Sequence, residues 1–214
     1  MSKDFEYKFD MKLMIIAGLL FVLLIVAGGL IATPNFQNPQ ILTIEEKLQK
    51  NANISIKVGE TYFYEFKAGN ESANLTYFIY RGYGCTGIRS SEIKNLTPTC
   101  IKNDGTELNQ SSNYTYTNPS IFLFKPWMLA VNENWKWNIS IYLKYNETIQ
   151  KVREIKLQSR GMKNYEGFEV FEVWEIEEGS NPTIFYVDKE RRIVRYLKTG
   201  GFEIELKNIT YSEQ

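Results

Sequence analysis

The side chains of this protein are better suited to being decorated than to catalysing. Nine Asn-x-Ser/Thr triplets begin at Asn53, Asn70, Asn74, Asn95, Asn109, Asn113, Asn138, Asn146 and Asn208. Each offers its amide nitrogen to an oligosaccharyltransferase, an enzyme class that works outside the cytosol. With this Asn, Ser and Thr content chance gives roughly two such triplets. An Asn-rich composition alone would also raise the number, but the other addresses in the sequence point to export as well.

Cys85 and Cys100 are the only cysteines. In an oxidising compartment a pair at this spacing is expected to form a disulfide, whose closed loop contributes about 3 kcal/mol by restricting the unfolded chain. A two-cysteine metal site is the alternative, and it needs further soft ligands. The chain has no histidine. Ser-His-Asp and Cys-His catalysis, His-ligated metals and imidazole pH sensing are therefore closed to it. After residue 32 the only aspartates are Asp104 and Asp188. Paired glutamates remain available for acid–base work, but no spacing singles out a pair. The expectation is a non-enzyme without cofactor or metal.

All nine triplets follow one apolar run. Leu13–Ala32, LMIIAGLLFVLLIVAGGLIA, is twenty residues without a charge. A helix of that length spans the hydrocarbon core at about 1.5 Å per residue. Ala27, Gly28, Gly29 and Ala32 could instead supply a signal-peptide cleavage site, although such peptides have shorter apolar stretches of about 7–15 residues. The tail before the run holds Lys3, Lys8 and Lys12, and no Lys or Arg follows until Lys47. By the positive-inside rule the tail is expected in the cytoplasm and the body outside the cell membrane. The bilayer is thus an expected partner. Equal numbers of basic and acidic residues, 25 each, give no electrostatic hold on nucleic acid.

The expected organisation is a cytoplasmic tail (1–12), a transmembrane helix (13–32), a linker with a short helix (33–53) and a mainly β extracellular domain (54–214). Thr33–Gln40 is rich in Pro and Asn. Thr43 and Glu46 fit a capping box, which predicts a short stalk helix over Ile41–Lys50. From Ile54 the pattern turns to β, with runs at Thr61–Lys67 and Asn74–Tyr80. Gly82 to Pro119 is weakly patterned and reads as a disulfide-pinned excursion carrying acceptors.

The clearest strand is Asn134–Asn146, NWKWNISIYLKYN. Trp135, Trp137, Ile139, Ile141, Leu143 and Tyr145 share one parity, so one face is apolar and the other wet. Asn138 and Asn146 fall on the wet face. Further strands are expected at Ile149–Ser159, Gly167–Glu177, Thr183–Val187, Ile193–Lys198 and Phe202–Lys207. Phe202, Ile204 and Leu206 share a face. An acidic run from Glu166 to Glu178 precedes a basic run of Lys189, Arg191, Arg192, Arg195 and Lys198. Adjacent antiparallel strands are expected to pair these charges at roughly 0.2–1 kcal/mol each; an acidic docking patch is the functional alternative.

Three stretches together resemble a known pattern. FKPWMLAVNENWKWNISI resembles the entry segment of certain bacterial and archaeal envelope proteins. GMKNYEGFEVFE looks like their linker, small loop and Phe-x-Val strand. FYVDKERRIVRYLKTGGFEIEL is similar to their closing hairpin and final strand, with Arg191 or Arg192 where that hairpin usually has Gly. These domains resemble the lipoprotein-carrier-like half-barrels, and the likeness covers roughly 125–206. It implies a curved antiparallel sheet wrapped round an apolar concavity, with a sandwich as the other arrangement open to such strands. No lipobox Cys and no catalytic set transfers. The dense acceptors beside a bare signal-anchor suggest an archaeal cell surface.

Two roles outside the membrane follow. One is binding or scaffolding of an envelope protein or surface-layer component. The other is carriage or sensing of a lipid-like ligand on an aromatic face formed by Phe122, Phe124, Trp127, Trp135, Trp137 and Ile139. If these aromatics are core instead, protein must cover them.

Overall fold

In a computed structural model, residues 40–91, 99–107, 122–145 and 148–212 are described. The apolar run, the N-terminal tail expected in the cytoplasm and residues 33–39 of the expected linker lie outside them, as do Asn95, Asn109, Asn113 and Asn146. Among the described residues no helix is long and apolar enough to cross a membrane.

Gln40–Gln214 forms one compact unit. Its strands are β1 (Gln40–Glu45), β2 (Glu60–Ala68), β3 (Glu71–Arg81), β4 (Thr86–Ser90), β5 (Thr99–Ile101), β6 (Lys136–Tyr145), β7 (Thr148–Tyr165), β8 (Phe168–Glu177), β9 (Thr183–Asp188), β10 (Val194–Lys198) and β11 (Glu203–Tyr211). They make a single open sheet in the order β1-β6-β7-β8-β9-β10-β11-β2-β3-β4-β5. Every pairing is antiparallel. The domain is therefore a one-sheet structure rather than a two-sheet sandwich.

The expected stalk helix is replaced by a strand. Gln40–Glu45 pairs with β6 from Gln40↔Lys144 to Glu45↔Ile139. A ten-residue helix is marginal by itself, whereas the edge of β6 supplies a ready ladder. Glu46, expected to close a capping box, instead accepts from the Asn138 backbone N–H at 3.2 Å and from its Nδ2 at 2.9 Å. Its carbonyl accepts the Trp137 indole N–H at 2.7 Å. The weakly patterned stretch after Gly82 holds β4 and β5, joined by the Cys85–Cys100 disulfide. Gly82 lies against this bridge. A Cβ there would meet both sulfurs at 2.6 Å, so only glycine fits without displacement.

One face of the sheet carries the core. Ten strands, all except β1, contribute to one buried cluster. Laid flat, eleven strands spaced about 4.8 Å apart would extend about 48 Å. A single cluster shared by ten strands requires the sheet to curl. Residues 122–131, ahead of β6, pack into the same cluster. Pro126–Leu129 is a short 3-10 turn, and Leu123, Phe124, Trp127, Met128, Leu129 and Val131 are all essentially inaccessible.

Arg192 fastens this plug. It holds a left-handed φ of +59°, a conformation that costs a non-glycine residue energy. Its buried guanidinium donates to the carbonyls of Val131 (2.8 Å) and Met128 (3.3 Å) and lies over the Phe171 ring. Asp188 shapes the same turn by accepting the backbone N–H groups of Glu190 and Arg191 and the Arg195 Nε–H.

Candidate functional site

The aromatic face proposed from the sequence faces inward. Phe124, Trp127, Trp137 and Ile139 are buried, and Phe122 and Trp135 are partly buried against the same cluster. Trp127 stacks on Trp135 at 5.7 Å and meets Phe185 edge-on at 5.3 Å. Phe122 packs on Phe202, which packs on Phe66. The rings fill one another's space. A cleft of about 400 Å³ touches Trp135 and Trp137, but its other walls are Glu46–Asn51, Ala130, Asn132 and Lys136, mostly polar.

The outer face is different. Five acceptors lie among the described residues. Asn53, Asn70, Asn74 and Asn208 are exposed, and Asn138 is half-buried against Glu46. Asn138 is on β6, Asn70 in the β2–β3 turn, Asn74 on β3 and Asn208 on β11. Strand alternation would put Asn208 on the same inward face as Ile204 and Leu206. A bulge prevents this. The register steps from Leu206↔Tyr64 to Asn208↔Phe63, so Lys207 is the extra residue. Ile209 then turns inward opposite Tyr62, and Asn208 and Thr210 turn outward.

Between these acceptors, β7, β8, β9 and β10 are neighbours and carry no triplet. Their outer face holds a ladder of rings and charges. Arg160 lies over Trp174, whose indole N–H donates to Glu172 at 2.5 Å. Lys163 donates to Glu172 at 2.7 Å and sits 3.7 Å above the Tyr186 ring. Tyr186, Tyr165 and Tyr196 form a three-ring cluster with centroids 4.9–5.6 Å apart. The Tyr165 hydroxyl donates to Glu205 at 2.9 Å. A bulge in β7, between Ser159 and Met162 and containing Gly161 at φ +100°, resets which residues reach this face.

The charges do not pair as the sequence suggests. Of the acidic and basic runs, only Glu169 and Lys189 meet each other, at 2.9 Å, among the ion pairs of the described residues. Elsewhere Lys163 meets Glu172, Arg153 meets Glu177, Arg191 meets Glu60, Arg195 meets Asp188 and Lys198 meets Glu203. Lys198 and Glu203 are directly opposed in the β10–β11 hairpin, whereas the Arg191–Glu60 pair is a long-range contact with β2, which closes beside β11.

Electrostatics make the carboxylates acceptors rather than proton donors. Burial opposes ionisation of Glu60, Glu172 and Glu205, yet hydrogen bonds and neighbouring cations hold all three below the usual carboxylate range. Glu65, Glu154 and Glu203 are lowered by hydrogen bonds from Lys67, Lys151 and Lys198 respectively. Burial and the Glu203 charge push the Tyr196 phenol up to about 12. No cluster of three or more Cys, Asp or Glu suited to a metal occurs among the described residues.

No family model, curated protein or solved structure matches the chain. The class defined by fold and site is an open, plug-filled antiparallel sheet whose outer face carries asparagine acceptors on either side of an acceptor-free strip.

Proposed function

We propose that this chain is a single-pass cell-surface protein, anchored through Leu13–Ala32 with its N-terminus inside. Its β domain is N-glycosylated and binds or scaffolds another envelope component. The observation that carries the reading is the distribution of acceptors: they flank β7–β10 and leave a contiguous strip rich in Tyr, Trp, Arg and Lys. Tyr, Trp and Arg are enriched at protein interfaces, and a glycan-free strip between glycosylated flanks leaves room for a protein partner. The filled inner face favours scaffolding over carriage of an apolar ligand, since a carrier needs an open cavity.

External protease on intact cells tests the topology. It should remove the body and leave a membrane-bound N-terminal fragment; a protected body would contradict it. Native electrophoresis of solubilised membranes tests the strip. Wild-type protein should migrate in an assembly larger than the monomer, and Tyr186→Asp should release it. Identical migration of the two would contradict the scaffolding role.

A further inference from the structure

The Lys207 bulge places Asn208 in the wall of a cleft. The cleft has a volume of about 290 Å³ and is lined by Tyr165, Glu166, Phe168, Arg191, Arg195 and the stretch Leu206–Ile209. Arg195 is itself the extra residue of a bulge in β10, where the register steps from Val194↔Val187 to Tyr196↔Tyr186. Its side chain is only 9 % exposed; Nε is held by Asp188 at 2.8 Å and Cζ lies 3.5 Å from the Phe168 ring centroid. Phe168 is nonetheless 44 % exposed. The guanidinium covers part of the ring, and the remainder is open to solvent. The cleft therefore combines an apolar ring, the Glu166 carboxylate, one tethering amide and the N–H groups still open on three cations: Arg195, Arg191, whose Nη1 donates to Glu60 and the Tyr62 hydroxyl, and Lys207, whose ammonium pairs with Glu65 and Glu205. A ring of C–H faces and hydroxyl oxygens matches that combination, and the volume suits one such ring rather than a long chain.

We propose that this cleft seats the first pyranose of a glycan carried on Asn208. The proposal rests on the glycoprotein reading above and adds a site to it. The bond forms between Asn208 Nδ2 and the anomeric carbon of a lipid-phosphate-activated glycan. The amide gives up one proton and the lipid phosphate leaves. The sugar then lays its C–H face on Phe168, and its oxygens accept from the cations. Phe63 offers a rival platform, since it stands directly opposite Asn208 on β2 and is 37 % exposed.

The test uses full-length protein made in its native host and in a host that does not N-glycosylate. Glycopeptide mass spectrometry reads occupancy at Asn208. Thermal unfolding is then measured for wild type, Thr210→Ala (which removes the acceptor triplet), Phe168→Ala, Phe63→Ala and the two double variants. In glycosylated material Thr210→Ala should lower Tm by about 2–4 °C more than it does in unglycosylated material. That excess should vanish in the Phe168→Ala background and persist in the Phe63→Ala background. Loss of the excess with Phe63→Ala instead, or no excess with Asn208 occupied, overturns the cleft as the seat. Asn208 bare while another acceptor is modified overturns the seat and leaves the glycoprotein reading standing. If no acceptor is modified, both fall.

Discussion

Both faces of the sheet are aromatic, but their rings serve different ends. On the inner face Trp127, Trp137 and Phe124 have lost nearly all contact with water and touch the plug and the strands. On the outer face Tyr165, Tyr186, Tyr196 and Trp174 are only half-buried, and polar or charged neighbours accompany the cluster throughout. The inner rings gain from exclusion of water, at about 25 cal/mol per Å² buried. The outer rings gain little from burial, and their contacts are worth a few tenths to about 1 kcal/mol each. The inner face therefore holds the fold together, while substitutions on the outer face should cost the fold little.

That contrast is open to direct attack. The largest effect is expected at Trp137. Trp137→Ala empties part of the core and leaves the Glu46 carbonyl without its indole donor, which should destabilise the domain by about 3–5 kcal/mol in chemical denaturation. A loss below about 1 kcal/mol there would mean that the inner face is looser than described. Next comes the bridge. Cys85→Ala should cost about 2–4 kcal/mol, and the same denaturation experiment under reducing conditions should reproduce that loss in the wild type.

Lys125, at the entrance to the plug, provides a pH signature of burial. Desolvation brings its ammonium down to about 8, with the Glu175 charge opposing. An unfolded lysine titrates near about 10.4. Between these values the unfolded chain binds a proton that the folded chain has released, so this group makes stability rise with pH. Lys125→Met should abolish that rise. The stability difference between variant and wild type should therefore shrink, in the variant's disfavour, between about pH 8 and 10.4. A pH-independent difference would place Lys125 in solvent. The smallest effect is expected on the outer face. Tyr186→Ala should cost about 1 kcal/mol, which makes it a usable probe of partner binding in a folded protein.

The inner face was legible because period-two alternation survives in long strands. The parity of Trp137 and Ile139 in β6, and of Ile204 and Leu206 in β11 with Phe202 just before it, gave both strand and facing. Burial then fades along β6, and Tyr145, at the end of the same parity, is exposed. Two kinds of event were not legible. Thr43 and Glu46 fit a capping box, and only the availability of the β6 edge makes Gln40–Glu45 a strand. Bulges at Gly161, Arg195 and Lys207 break parity, and nothing local to these residues announces a bulge except the glycine. The candidate site suffers most from this, because both the Asn208 cleft and the tyrosine cluster are products of those bulges. The plug was visible as an aromatic run, but its destination inside the curl is a tertiary fact.

The central claim is that the β domain is folded outside the cytosol with sugars on its outer face. Mass spectrometry of non-reduced peptides from protein isolated out of native membranes tests it in one measurement. The expected result is a Cys85–Cys100-linked peptide pair, together with glycan mass on peptides containing the outward acceptors Asn70, Asn74 and Asn208. Freely alkylated thiols at both cysteines with bare asparagines at all three positions would contradict it.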